Sequence, residues 1–405
     1  MRQTMAERRI ITKATCERYR KSRKKAKGLM LDEFVSQTDY NRCYARWLLR
    51  NHGRRVEIRP GVFLEGDVRA RPRRRVKRTY GEQVLAPMKK LWAMLDYPSS
   101  KRFKPALPGL IDRLEACKEM RLNKPIRAQL LNISAATIDR LLKTERAKFK
   151  LKGRSHTKPG TLLKHQIPIR TFSDWDDTRP GFLEMDLVGH EGGSACGEYC
   201  FTLDVTDVAS GWSEQAAVPN KAQTHVFEAL LGIRKRLPIA VLGLHSDNGS
   251  EFINDHMRRY CTQERITFTR TRPYRKNDNC HIEQKNWSIV RRFAGYGRYE
   301  SAQACRTLNE LYEVLGDFTN FFLPSLKLKE KISNGPHTLR RYHPACTPYE
   351  RLLQSPHVDQ SVKDELVKHY MTLNPAKLHL QILALQKRLC ELTARAPQPA
   401  KAHAS

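Results

Sequence analysis

Residues 243–252 read GLHSDNGSEF, and the apolar run Ile239-Ala240-Val241-Leu242-Gly243-Leu244 leads straight into them. The run has the length and texture of a buried strand, and it ends in His245-Ser246-Asp247-Asn248-Gly249. Asp, Asn and Gly make turns for local reasons, so the stretch can be a turn and nothing more. The other reading is that a carboxylate, Asp247, is held at the strand end for a purpose. The surrounding sequence has to discriminate between the two.

Upstream, Phe182–Val188 (FLEMDLV), Tyr199–Val208 (YCFTLDVTDV) and Gly211–Val218 read as strands with short connections, which predicts an antiparallel meander. Ala222–Leu237 reads as a helix, Ile239–Leu244 as a strand, Asn254–Arg265 as a helix and Ile266–Arg270 as a short strand. After the polar loop Thr271–Asn279, Cys280–Tyr296 reads as a long helix. The order β-β-β-α-β-α-β-α predicts an α/β fold, a mixed sheet with helices on its faces. Asp186 sits in the first strand between Met185 and Leu187, where a carboxylate is costly unless it is paired or bound to metal. Glu283 lies in the first turn of the long helix, with 60 residues between Asp186 and Asp247 and 35 between Asp247 and Glu283. Carboxylate oxygens suit Mg²⁺ or Mn²⁺, and two such ions can clamp the attacking and leaving oxygens of a phosphodiester.

With these three acids in place, the chain resembles the DDE transposases and retroviral integrases, and among them bacterial insertion-sequence transposases with an integrase catalytic core. SDNGSEF, TRPYRKNDNCHIEQKNW and TPYERLL (Thr347–Leu353) carry the resemblance together with the 35-residue gap. It implies a ribonuclease-H-like mixed sheet, with Asp186 bridging two metal ions and Asp247 and Glu283 each holding one. It also implies cleavage at the ends of a mobile element by metal-activated water, then attack of the freed 3′-hydroxyl on target DNA, by a homo-oligomer assembled on double-stranded DNA. The retroviral His/Cys zinc module is absent from the sequence, so the front end is of the bacterial type. Among neighbouring groups, Asp204 and Asp207 are expected in solvent or a turn, and Glu251 as a cap of the next helix. Glu184 shares the face of Asp186, and Trp287 is expected to be packed. His245 and His281 suit packing or DNA contact as well as proton transfer.

The chain of 405 residues carries a net charge of +32, concentrated in residues 1–80 (24 basic, 8 acidic) and 81–160 (18 basic, 7 acidic). That excess points to nucleic acid. Lys27–Arg50 reads as two amphipathic helices, the first burying Leu29, Leu31, Phe34 and Val35, joined by Ser36–Asp39; it is a helix-turn-helix or an ordinary helical hairpin. On the former reading Arg42 and Arg46 face DNA. Ile126–Lys143 is a second such pair with Ser134 as cap and Thr137 and Arg140 outward. The arm containing Arg73, Arg74 and Arg75 is expected to track phosphates. Arg272, Arg275 and Lys276, beside Tyr274 in the loop before Glu283, and Lys285, Arg291 and Arg292 on the helix, are candidate DNA contacts.

The expected organisation is a helix-turn-helix domain at 1–66, a basic linker at 67–83 and a second helical DNA-binding domain at 84–150. A linker at 151–180, the integrase core at 181–300, a C-terminal helical and small β region at 301–396 and a disordered tail at 397–405 complete it. Leu378, Ile382, Leu385, Leu389 and Leu392 recur at heptad spacing, a short coiled coil or a helix docked on the core. The ten cysteines form no CxxC pair, which argues against zinc and disulfides. The N-terminal stretch lacks an apolar signal core and no apolar run approaches the roughly 18 residues of a membrane span. A cytoplasmic, nucleoid-associated protein follows. The rival functions are a ribonuclease-H-like nuclease that only hydrolyses and a DNA-binding regulator derived from a transposase.

Overall fold

The computed structural model describes residues 4–59, 62–66, 80–147, 178–247, 249, 251–271, 280–334 and 337–394. The arm with Arg73, Arg74 and Arg75, most of the linker 151–180, Arg272, Arg275, Lys276 and the tail fall outside them. The chain divides into two compact units, Met1–Thr79 and Tyr80–Ser405.

In the first unit, α1 (Met5–Lys21) starts at a capping box between Thr4 and Glu7. Helices α2 (Lys24–Thr38) and α3 (Arg42–Asn51) follow. Asp39 turns the chain between them at φ 57°, and Asn41 caps α3 by accepting from the Cys43 N–H at 2.9 Å. Leu31, Phe34, Ala45, Leu48 and Leu49 close the core with Cys16 and Tyr19 from α1. Leu29, expected inside, is exposed, because the buried stripe of α2 runs through Leu31 and Phe34. This end of the protein is also not all-α, since β1 (Arg55–Arg59) and β2 (Val62–Glu65) form an antiparallel hairpin after α3. Arg42 is ion-paired with Asp32, and Arg46 is exposed.

The second unit opens with α4 (Glu82–Met94), α5 (Ser100–Ala116), α6 (Lys124–Asn132), α7 (Ala135–Leu141) and α8 (Lys143–Ala147). The Ser134 hydroxyl caps α7 by accepting from the Thr137 N–H at 3.2 Å. Then come β3 (Phe182–Gly189), β4 (Phe201–Asp207), β5 (Ser213–Val218), α9 (Gln223–Arg236), β6 (Gly243–Ser246), α10 (Asp255–Gln263) and β7 (Thr267–Arg270). Helix α11 (Cys280–Lys285) runs on into a π-helical turn (Asn286–Arg291) and a last helical turn, α12 (Arg292–Ala294). After α13 (Ala302–Phe322), β8 (Leu328–Asn334) and β9 (His337–Tyr342) form a hairpin, followed by α14 (Pro348–Gln354), α15 (Gln360–Thr372) and α16 (Pro375–Glu391).

The sheet order is β5-β4-β3-β6-β7, an antiparallel meander continued by two parallel strands. This is the mixed sheet with helices on its faces expected from the sequence. The fourth core strand, β6, starts at Gly243 rather than Ile239, and Leu242 and Gly243 both donate to the Gly181 carbonyl as the chain enters the sheet.

One sheet face is apolar. Leu183, Met185, Leu203, Val205, Leu244 and Phe268 meet Val226, Leu230 and Ile233 of α9 and Met257 and Cys261 of α10. The opposite face carries Glu184, Thr202, Asp204, Thr206, Gln215 and His245, all buried, and is overlaid by α11, the π-helical turn and α13. Edge strand β5 is closed by α13: Asn309 pairs with both backbone groups of Ala217, at 2.8 and 3.0 Å, and Asn320 with both of Ser213, at 3.0 and 2.9 Å.

Helices α4–α7, part of the span expected as a DNA-binding unit, share one apolar core with α13–α16, from Trp92, Leu110 and Leu130 to Tyr312, Phe322 and Leu366. Arg113 seals the join, donating to the Met371 carbonyl at 2.8 Å and the Leu373 carbonyl at 2.6 Å. The heptad-like stripe on α16 buries Leu378, Ile382 and Leu389, and the helix lies along α13, so of the two readings of that stripe the docked helix holds. No helix among the described residues is long and apolar enough to cross a membrane.

His190, at the end of β3, is fully buried, with Nε2 2.7 Å from the Thr202 hydroxyl. Burial, and then the Arg291 guanidinium, push its pKa down to about 3. In the unfolded chain the imidazole takes a proton near pH 6.5. Its contribution to stability is therefore whole above that pH and is lost as pH falls toward about 3. His190→Gln should lower Tm at pH 8, and the gap to wild type should narrow progressively on acidification. A gap independent of pH would show that this imidazole is not held neutral by the fold.

Candidate active site

The polar sheet face organises the acids. Antiparallel pairing of β3 with β4 sets Asp186 opposite Asp204, and pairing of β4 with β5 sets Asp204 opposite Gln215. The three therefore form a row across the sheet. The parallel pairing of β3 with β6 runs to Met185 opposite Ser246, so the next residue on each strand is Asp186 and Asp247. Two carboxylates expected from the sequence as site residues are thus brought to neighbouring positions, Asp186 within β3 and Asp247 just past the end of β6.

Their orientations are set locally. Asp186 Oδ1 accepts from the Leu187 N–H at 2.8 Å, and Oδ2 accepts from Asn286 Nδ2 at 2.6 Å. Asp247 Oδ1 accepts from the Gly249 N–H at 2.9 Å. Burial pushes Asp186 up to about 7, and the negative charge of Asp247 adds to the rise. The bonds from Asn286 and Leu187 oppose it, and Asp204 reinforces it. Burial likewise raises Asp247; the Gly249 N–H opposes that, and the charge of Glu251 adds to it.

Glu283 lies on α11, and its side chain is outside the described residues. The helix itself is tied to the sheet at both ends of its first turns. Glu184 Oε2 accepts from the Ile282 N–H at 3.1 Å, and Asn286, three residues after Glu283, donates to Asp186. These two ties fix the backbone of α11, on which Glu283 lies, over the strand that carries Asp186. The π-helical turn begins at Asn286, a distortion frequent at functional sites.

Several neighbouring residues lie elsewhere than the sequence led us to expect. Asp204, expected in solvent or a turn, is fully buried within β4, whereas Asp207, also fully buried, does lie at a turn. Asp207 accepts from the Gly181 N–H at 2.8 Å and the Ser210 N–H at 2.7 Å, and so builds the β4–β5 turn. Asp204 Oδ1 accepts from Gln215 Nε2 at 2.9 Å. Lys285, expected at a DNA phosphate, is turned inward, its Nζ donating to the Gly211 carbonyl at 2.8 Å. Burial lowers its pKa while the charge of Asp204 raises it. Arg291 donates to the Gly189 carbonyl at 2.8 Å, and Arg292 is engaged with the carboxylate and carbonyl of Asp96. Trp287, expected to be packed, is 54% exposed. Asn254, not Glu251, caps α10 by accepting from the Met257 N–H at 2.8 Å. His245 is buried with Nδ1 2.9 Å from the Thr269 hydroxyl. On α7, Arg140 is exposed and bonds Thr137 Oγ1 at 2.9 Å.

Two sequence signals point to residues beyond the expected set. Asp204 stands between Leu203 and Val205 as Asp186 stands between Met185 and Leu187, so the same cost of a buried carboxylate applies to both. Asn286 follows Glu283 at helical spacing, which makes it a candidate partner for whatever Glu283 faces.

Among the described residues no group of three or more His, Cys, Asp or Glu is gathered in a metal-binding arrangement. The donors that are present fit a hard divalent ion. They are all oxygen, two of them are carboxylates raised by burial and by a neighbouring carboxylate, Asp247 acting on Asp186 and Glu251 on Asp247, and Asp204 Oδ2, Gln215 Oε1 and Asn286 Oδ1 are buried acceptors lacking a hydrogen-bond partner.

Residues 177–276 match the family model of the integrase core domain, a span that includes the sheet, Asp186 and Asp247 and stops before Glu283. Over 348 residues the chain is 38% identical to the uncharacterized protein y4rM of Sinorhizobium fredii, covering 86% of this chain and 95% of that one. The chain belongs to the same family as y4rM. Similar solved structures include the HTLV-2 integrase catalytic core domain in complex with magnesium, with 14% identity, 37% of this chain and 93% of that one covered, and a TM-score of 0.29. The catalytic core domain of BIV integrase is another, with 22% identity, 44% and 96% covered, and a TM-score of 0.30.

Lys285 is held by its bond to the Gly211 carbonyl, and its charge and that of Asp204 favour each other. Lys285→Met should destabilise the protein by about 2 kcal/mol in urea unfolding near neutral pH, the scale of a lost hydrogen bond from a charged group. Adding Asp204→Asn should recover much of that loss. Strictly additive effects of the two substitutions would show that the groups are not coupled.

Proposed function

We propose that the protein is a DDE-type transposase, which binds the ends of its own mobile element and catalyses metal-dependent DNA strand cleavage and strand transfer. The observation that carries this reading is the placement of Asp186, within β3, next to Asp247, just past the end of the adjoining β6, beneath a helix that bears Glu283 and is tied to Asp186 through Asn286. The match to the integrase core domain supports it.

In this reading Asp186, Asp247 and Glu283 would hold the divalent ions, two Mg²⁺ or Mn²⁺. Bound there, the ions supply an activated water or 3′-hydroxyl and neutralise charge on the phosphate. The chain's own part is orientation. The Leu187 and Gly249 N–H groups and Asn286 aim the two carboxylates, and the fold keeps them desolvated. No protein nucleophile is required. The working form is a homo-oligomer on double-stranded DNA. Arg42 and Arg46 in the first unit, Thr137 and Arg140 on α7, and Arg73, Arg74, Arg75, Arg272, Arg275 and Lys276 in the two basic segments make up its DNA-contacting set. Lys285 is better assigned to holding α11 in place than to a phosphate. Exposed Trp287, four residues after Glu283, offers a ring on which an unstacked base can lie.

Two measurements test the site. Mn²⁺ should raise the Tm of wild type and leave that of Asp186→Asn unmoved; an equal rise in both would remove Asp186 from the metal site. With Mg²⁺ and the DNA flanking the reading frame, wild type should cut and join strands. Asp247→Asn should lose both activities, by about a hundredfold or more, and keep DNA affinity. Cutting without joining favours the hydrolytic nuclease, and binding without cutting in either protein favours the regulator.

A further inference from the structure

Among the described residues, strands β8 and β9 pair only with each other, in a sheet of two. Such a ribbon is marginal in water unless something covers it. Its apolar side chains are left outside: Leu328 and Tyr342, opposite each other, and Ile332 and Leu339, opposite each other, are 39 to 54% exposed. Lys329 stands at a bulge beside them, and it and Arg340 are exposed, while Arg341 is held to Glu330 at 3.1 Å. Residues 327–343 carry five Lys or Arg against one acid.

The root of the ribbon is fixed to the core. Ser325 and Cys346 bridge its two ends, and Arg351 Nη1 bonds Ser325 Oγ at 2.8 Å. Three successive carbonyls of the β4–β5 turn each receive a basic side chain. Ala209 accepts from Lys327 at the ribbon's root, Ser210 from Arg351 at 2.9 Å, and Gly211 from Lys285 at 2.8 Å. Lys285 lies two residues beyond Glu283, so the ribbon is mounted on the turn that also anchors the helix of the site.

We infer that the β8–β9 ribbon is a DNA-binding arm of the catalytic unit, lying in a groove of the duplex on which the site acts; the inference rests on the proposed function. A two-stranded ribbon fits a major groove about 12 Å wide. Its basic side chains meet phosphates, and its apolar side chains lie against base edges or wedge between base steps. A second copy of the chain is the poorer occupant, because it would oppose like charge to like.

The test uses the full-length protein and a labelled DNA duplex. A photo-crosslinking phenylalanine analogue replaces Leu339, and a separate variant carries Lys329→Ser with Arg340→Ser. We expect a cross-link from position 339 to DNA. We also expect the double variant to bind about tenfold more weakly, with a log–log salt dependence shallower by about 2, as follows when two cations no longer neutralise phosphates. Lys329→Arg with Arg340→Lys should restore both, and Tm should be unchanged throughout. A cross-link to a second protein chain, or duplex binding with no cross-link and an unchanged salt dependence, overturns the arm while leaving the proposed function standing. A wild-type protein that binds no duplex overturns both.

Discussion

The sheet that carries the site has a polar face, and that face is buried. Glu184, Asp186, Thr202, Asp204, Thr206, Gln215 and His245 project from it, and burying such groups costs free energy unless each finds a partner. Much of the second unit consists of those partners. The Thr202 hydroxyl lies 2.6 Å from Tyr312 of α13, Thr206 pairs with Ser213 at 2.9 Å, His245 with Thr269 at 2.9 Å, and Glu184 receives the first turns of α11. The position of α11, and with it that of Glu283, follows from satisfying this face rather than from apolar packing alone.

The same logic explains the β4–β5 turn. Asp207 closes it from within, and its outward carbonyls are taken up by Lys327, Arg351 and Lys285, drawn from three separate parts of the chain. A single turn thereby sets the helix of the site, α14 and the root of the β8–β9 ribbon against one another. A long side chain serves well here because it can cross a gap that a backbone hydrogen bond cannot.

The strand order and the two Asp positions are legible in the sequence because both depend on short-range patterns: alternation, run length and an acid out of place. Sequence is less informative wherever the answer depends on what lies across a gap. Lys285 on an amphipathic basic helix reads as a solvent-facing cation, and only the neighbouring β4 and the turn at Gly211 make it an internal tie. Asp204 has no place in the three-acid pattern and so reads as surface, although its apolar neighbours point the other way. Trp287 reads as packed because tryptophan is usually buried, but the π-helical turn places Ile289 and Val290 inside and leaves the indole out. Helices α4–α7 have the spacing of a free-standing helix-turn-helix. That they share a core with α13–α16 is a long-range fact that no local window contains.

Orientation and charge are handled separately in the site. Asp186 and Asp247 are each aimed by a main-chain N–H, from Leu187 and Gly249, and a main-chain donor stays in place whatever side chain surrounds it. The charge is not compensated in the same way. Asn286 is neutral, Lys285 lies toward Asp204, and the strongest influences on Asp186 are burial and a second carboxylate. The fold thus fixes where the oxygens point while leaving their repulsion unrelieved, and either a proton or a cation relieves it. Below about pH 7 a proton suffices for Asp186, and above it the carboxylate is available to a divalent ion. A site built this way favours metal binding without forming a salt bridge that the metal would first have to break.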